Sequence, residues 1–142
     1  MFFDMPLNYD IHKAAGIIIK DRKLLVEKSI NKEFFISPGG SIEPGETPKR
    51  ALIRELKEEF QIEVVEKDLE EFGTFCHPAA GHDNKLVCME VFLVNKWKGD
   101  PTPDHEVEEM FWLTSKIPQD MKIGSIFEHE VIPRLKNQNL ID

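Results

Sequence analysis

Basic residues are in short supply. Lys and Arg together number 18 against 26 Asp and Glu, leaving a net charge of -8 at neutral pH. An acidic surface repels a polyanion, which argues against long nucleic acid held through a basic surface. A small phosphorylated ligand stays compatible, provided a cation stands between the acids and the phosphates. Cysteine is scarce as well. Cys76 and Cys88 are the only two, in apolar surroundings and at no metal-ligand spacing. They read as buried free thiols, with a reducing compartment as the corollary. No apolar run approaches the length of a membrane span. The first ten residues hold Asp4 and Asp10 but no Lys or Arg, unlike the basic start of a signal peptide. The expectation is a cytoplasmic protein with no membrane partner.

What is present suits one domain over residues 1–142. That length is close to the commonest domain size, and 41% hydrophobic with 31% charged residues is ordinary globular composition. No repeat, low-complexity stretch or linker divides the chain. Ala14 to Lys20 and Lys23 to Lys28 are β-rich runs around Asp21-Arg22, which predicts a hairpin. Phe34 to Ser37 is a short strand candidate that meets Pro38-Gly39-Gly40, a strong breaker. Thr47 followed by Pro48 predicts a helix N-cap and first turn, with the helix running to about Phe60. Apolar runs follow at 62–65, 72–76, 86–94 and 110–113. The run 86–94 is apolar on both faces and predicts a central strand covered on both sides. Ile126 to Leu135 predicts a closing amphipathic helix, weakened near its end by Pro133. Strands interrupted by two helices imply an α/β fold with a mixed sheet.

The chemistry concentrates on the helix from Pro48. Glu55, Glu58 and Glu59 stand at i, i+3 and i+4, which places three carboxylates on one face. They flank the stripe of Leu52, Leu56 and Phe60, at the lip of the buried face rather than opposite it. Like charges at these spacings repel by about 0.2–0.5 kcal/mol per pair. A divalent cation converts that repulsion into ligation, because Mg²⁺ prefers carboxylate, carbonyl and water oxygens. Taken alone, a Glu-rich helix face is more often a solvated surface.

The full register is more specific. It runs Gly40, five residues, Glu46, seven residues, Arg54-Glu55-Leu56, one residue, Glu58-Glu59, one residue, then position 61 and Ile62. This resembles the Nudix box of the MutT-like hydrolases at eight of nine specified positions, over 23 of the 142 residues. The departure is Gln61, where that family has glycine. Glycine just past a helix usually supplies a left-handed terminus, so Gln61 bears on stability more than on chemistry.

The resemblance implies an α/β/α sandwich with a loop-helix-loop metal site. Glu55, Glu58 and Glu59 would ligate Mg²⁺ or Mn²⁺, and the Gly40 carbonyl would contribute. Arg54 would pair with Glu46 and orient the acids, so these five charged residues form the expected catalytic set. A further acid often follows the box in this family. Glu106, Glu108 and Glu109 precede Phe111-Trp112, with Glu109 favoured as a ligand, against the plainer reading of an acidic loop. The implied reaction is hydrolysis of a pyrophosphate linkage in a nucleotide-like substrate. A Nudix-fold module that binds a nucleotide without cleaving it is the alternative, disfavoured because all three helix acids are present. A homodimer is a family-level expectation.

Weaker candidates for substrate contact are Phe35, His77 and Glu106. Phe34 and Phe35 could flank a base, although core packing claims at least one of them. His77, Pro78, His82 and Asp83 fall in a loop, where specificity often resides, but an exposed turn is the plainer reading of each. Pro78 lies near where some ADP-sugar enzymes of the superfamily carry proline. Trp97 and Trp112 read as packing aromatics. Oxidised or ordinary nucleoside triphosphates, ADP-ribose-like sugars and dinucleoside polyphosphates all stay open as substrates.

Overall fold

The β-rich segment before the glycine loop divides into β1 (Ile11–Ile17), β2 (Ile19–Lys20) and β3 (Lys23–Ser29) in the computed structural model, which describes residues 9–79, 84–104 and 106–142. Asp21 and Arg22 both take positive φ, 51° and 62°, the geometry of a two-residue hairpin turn whose twist matches its strands. Arg22 is not a turn-forming type. Tertiary bonds hold it there, from Nε to Asp142 at 2.6 Å and from Nη1 to the Asn139 carbonyl at 3.0 Å.

Pro38-Gly39-Gly40 does not break the sheet as expected. Residues Gly39–Ser41 form β4, antiparallel to β1, with Ala14 opposite Gly40 and Ala15 opposite Gly39. Gly39 has φ 148°, and a Cβ there would stand 2.1 Å from the Ala14 carbonyl oxygen. Glycine is needed for the close approach of the two backbones. Upstream, 34–37 forms only isolated bridges, Ile36 with Glu27 and Phe35 with Ile123.

The expected helix is α1 (Pro48–Phe60), capped by Thr47 Oγ1 accepting from Arg50 N at 3.2 Å. It ends at Gln61 in the left-handed conformation, φ 58° and ψ 31°, so the one departure from the family pattern keeps the glycine geometry. Gln61→Gly is expected to stabilise the fold by up to about 1 kcal/mol, less the greater freedom glycine gains when unfolded. A thermal melt should rise by roughly 2–4 °C at most; a clear fall would show that the Gln61 side chain makes a needed contact.

Three further strands, β5 (Leu69–Pro78), β6 (Leu86–Val94) and β7 (Val107–Leu113), complete two sheets. One has the order β4-β1-β6-β5 and the other β2-β3-β7. Among the strand pairs of the described residues, β1 with β6 is parallel and the others are antiparallel. The central position expected for 86–94 is observed. The final helix is interrupted: a π-helical turn spans Phe127–Val131 before α2 (Ile132–Asn137). Pro133 has no N–H to offer residue 129, and the widened turn absorbs the defect.

The core lies on both sides of the sheets. Ala14, Leu25, Leu52, Leu56, Phe60 and Phe92 pack together on the α1 side. Ala15, Leu24, Val26, Phe75, Val91 and Leu135 pack on the α2 side. Alternation along β1 and β3 assigns each residue to its face, and the result is the expected α/β/α sandwich. The reading of the two cysteines needs correction. Cys76 and Cys88 are direct cross-strand partners on β5 and β6 and form a disulfide. Adjacent strand register brings the pair together, a relation that their spacing in the sequence does not show.

Candidate active site

The stripe that buries Leu52, Leu56 and Phe60 fixes the roll of α1 and leaves Glu55 and Glu59 at its edge, above β4. Both carboxylates line a cleft of about 500 Å³ together with Gly39 and Gly40. Gly40 makes room for the first of them: a Cβ at this residue would lie 2.5 Å from Glu55 Cδ. Gly39 N donates to Glu59 Oε1 at 3.4 Å. A more open hollow beyond Arg54, bordered by Gly45 and Arg50, contains neither carboxylate.

Arg54 organises the adjoining loop as expected. Its Nε and Nη2 grip Glu46 at 2.7 and 2.9 Å, and its Nη1 donates to Glu55 at 2.8 Å. A bidentate guanidinium suits this geometry. It pulls Glu46 down to about 2, first through its hydrogen bonds and then through charge, while its own proton is held more tightly by Glu46 and Glu55. Glu58, 45% exposed, approaches Arg54 at 3.6 Å and does not line the cleft.

Sequence reasoning missed Glu27. Strand alternation turns Leu25 and residue 27 toward α1, and the second of these is a carboxylate with 0% exposure. It faces Glu59 across the gap between strand and helix. Burial raises both pKa values, and the repulsion of Glu59 by Glu27 and Glu55 adds to the rise on the helix. Glu55 is raised too, chiefly by burial, with Arg54 opposing. The available signal was an acid at a core-facing position of an otherwise apolar strand.

The other expected contacts are scattered. Glu106 lines the cleft, but Glu109 pairs with Lys28 at 3.5 Å and stands outside it. Phe35 is 8% exposed and packs in the core, away from the cleft, whereas its neighbour Phe34 lines the cleft. His77 stands one side chain back, with Nδ1 3.2 Å from Ser125 Oγ and Nε2 2.9 Å from Glu130; Ser125 and Pro78 border the cleft. Trp97 and Trp112 are partly buried packing residues. His82, Asp83 and His105 lie outside the described residues.

Three raised carboxyls, Glu27, Glu55 and Glu59, give a pH prediction for the metal-free protein. A folded pKa above the unfolded one contributes stability that is fully present below the ordinary carboxylate range and is lost as pH rises through the folded value. Denaturant unfolding in chelator should therefore show stability falling from pH 5 toward pH 9, with divalent metal flattening the slope. Glu46, shifted the other way, loses its contribution only in stronger acid. A flat metal-free profile would show that Glu27 and Glu59 are not held together.

The donor set suits a hard divalent cation: carboxylate oxygens at the mouth of a cleft, with the Gly40 hollow seating one of them. Among the described residues, no three acidic, His or Cys side chains are already drawn round one point; Arg54 holds Glu55 and approaches Glu58.

A family model described as the NUDIX domain matches residues 10–134. The chain belongs to the Nudix hydrolases. This Nudix chain is 36% identical over 108 residues to the 8-oxo-dGTP diphosphatase of Haemophilus influenzae, covering 72% of this chain and 75% of that one. It is 32% identical over 129 residues to the ADP-ribose pyrophosphatase of Methanocaldococcus jannaschii, covering 86% and 72%. The crystal structure of the MutT protein from Methanosarcina mazei Go1 shares the fold, with a TM-score of 0.72 at 20% identity, covering 95% of this chain and 99% of that chain. This Nudix enzyme thus acts on pyrophosphate linkages of nucleotides, in a family whose members generally depend on divalent metal. No helix among its described residues is long and apolar enough to cross a membrane.

Proposed function

We propose that this Nudix hydrolase cleaves a nucleoside 5′-triphosphate to the monophosphate and pyrophosphate, with Mg²⁺ as its metal and Mn²⁺ able to replace it. The observation that carries this reading is the convergence of Glu55, Glu59 and the Gly39-Gly40 backbone in one cleft, with Phe34 on its border. The 8-oxo-dGTP diphosphatase relatives, at 36% and 35% identity, favour an oxidised purine triphosphate.

Glu55, Glu58 and Glu59 are the proposed ligands, with the Gly40 carbonyl beside them. A divalent metal held by these residues would neutralise phosphate oxygens and lower the pKa of water. Arg54 fixes the Glu55 carboxylate and, through Glu46, the loop that joins β4 to α1. A carboxylate of the cluster accepts the proton of the attacking water. Phe34 offers a flat apolar face to a base, and Ser125, oriented by His77, offers a hydroxyl to the base or sugar.

An ADP-ribose-like substrate is the second reading, favoured by Pro78 on the cleft border and by the 32% identical relative. A panel of 8-oxo-dGTP, dGTP, ATP, ADP-ribose and a dinucleoside tetraphosphate, each with Mg²⁺ and with Mn²⁺, separates them. Pyrophosphate release, greatest for the oxidised triphosphate and abolished by chelator, is expected. Preferred cleavage of ADP-ribose to AMP and ribose phosphate would move the assignment to the second reading, and turnover persisting in chelator would remove metal from it.

A further inference from the structure

We propose that Glu27, on β3 and outside the motif carried by α1, is a further ligand of the divalent cation, bridging the strand to the helix acid Glu59. The inference rests on the metal-dependent reading of this cleft and adds a residue to it.

Position 27 belongs by alternation to the row that packs against α1. Its neighbour in that row, Leu25, is fully buried in the apolar cluster with Leu52 and Leu56. An apolar residue at 27 would extend this packing. The carboxylate instead is wholly buried, and its backbone is pinned by reciprocal bonds with Ile36, both at 2.7 Å. Its Oε1 receives Ser29 Oγ at 3.3 Å, while Oε2 is buried with no donor. Glu59, whose carboxyl meets that of Glu27, can donate to it only while protonated, because an ionised carboxylate only accepts.

A buried anion with a bare oxygen is expensive to keep unless a cation or donor meets it. The bare oxygen belongs to a residue that lines the same cleft as Gly40, Glu55 and Glu59. Lys13 also lines that cleft, but no ion pair between it and Glu27 is formed. A hard divalent ion matches this need: it accepts oxygen ligands from both walls and cancels the repulsion between them. A carboxylate anchored on a strand also adds a ligand whose position does not depend on the roll of the helix.

The test is Mn²⁺ binding followed by electron paramagnetic resonance, together with thermal melts with and without Mn²⁺, on the wild type, Glu27→Gln and Glu27→Asp. Glu27→Gln keeps the volume and removes the charge. It should melt no lower than wild type without metal, bind Mn²⁺ about 10-fold or more weakly, and lose most of the metal-induced rise in Tm. Glu27→Asp keeps the charge but withdraws it by one methylene, and should also bind more weakly. It carries the test alone if the glutamine variant does not fold. Wild-type Mn²⁺ affinity in the folded variants, whatever their turnover, would overturn the ligand assignment. A wild type that binds no Mn²⁺ would overturn the metal-dependent reading itself, a separate failure.

Discussion

Glu59→Gln should lower turnover by about 10²-fold or more while leaving the metal-free fold as stable or more so. The activity loss is on the scale of removing a positioned acid–base or charge-stabilising group. The gain in stability follows from Glu59's place in the cleft, where burial and the nearby Glu27 and Glu55 charges oppose its ionisation. Replacing the carboxylate with an amide that can donate to Glu27 should add on the order of 1 kcal/mol. Glu58→Gln provides the contrast. It too should reduce turnover strongly as a proposed ligand, but its exposed carboxylate predicts a stability change within about 0.5 kcal/mol. Chemical denaturation in chelator, paired with steady-state rates, reads both quantities. Near-normal turnover in both variants, on a substrate the wild type cleaves, would remove these acids from the mechanism.

Gly39→Ala should destabilise by more than about 3 kcal/mol, through a backbone conformation L residues rarely adopt and a Cβ forced against a carbonyl. The clashing atoms are the Ala14 oxygen at 2.1 Å and the Ala15 Cα at 2.9 Å. Both belong to a central strand, so β4 has to leave β1 to relieve them. Gly45→Ala is the control. That glycine also has positive φ, 84°, but a Cβ there meets nothing within 4 Å. Its cost should be only about 1 kcal/mol, from backbone strain alone. Equal melting temperatures for the two variants would show that the β1–β4 contact is looser than described.

The parts of the molecule governed by local rules were legible in the sequence. Thr47 and Pro48 mark where α1 begins, and the apolar period of the helix brings Glu55 and Glu59 to its edge. The residue pattern marks Gln61 as the end of the helix but leaves open whether it is left-handed, which the backbone decides. Features set by pairing between distant segments were not legible. Gly39 and Gly40 look like a break until β1 lies beside them. Cys76 and Cys88 look like separate thiols until β5 and β6 align. Phe34 and Phe35 are equivalent by composition, and only the bridge to Ile123 decides which one faces the core. Glu27 was hidden for the same reason: its significance depends on which face of β3 α1 covers.

The parallel pairing of β1 with β6 sets a timetable for folding on the ribosome. Ile11 lies opposite Val87, so the earlier strand waits for 76 further residues before its partner exists. At 5–20 residues per second, that wait is roughly 4–15 s. Closing so long a loop costs about 4 kcal/mol of chain entropy beyond a constant. Until then, β1 has β4 on one side and an open edge on the other, the kind of edge that recruits a foreign strand. Lys13 and His12 on that strand interrupt its apolar run, and a charge on an unpaired edge discourages such recruitment during the wait.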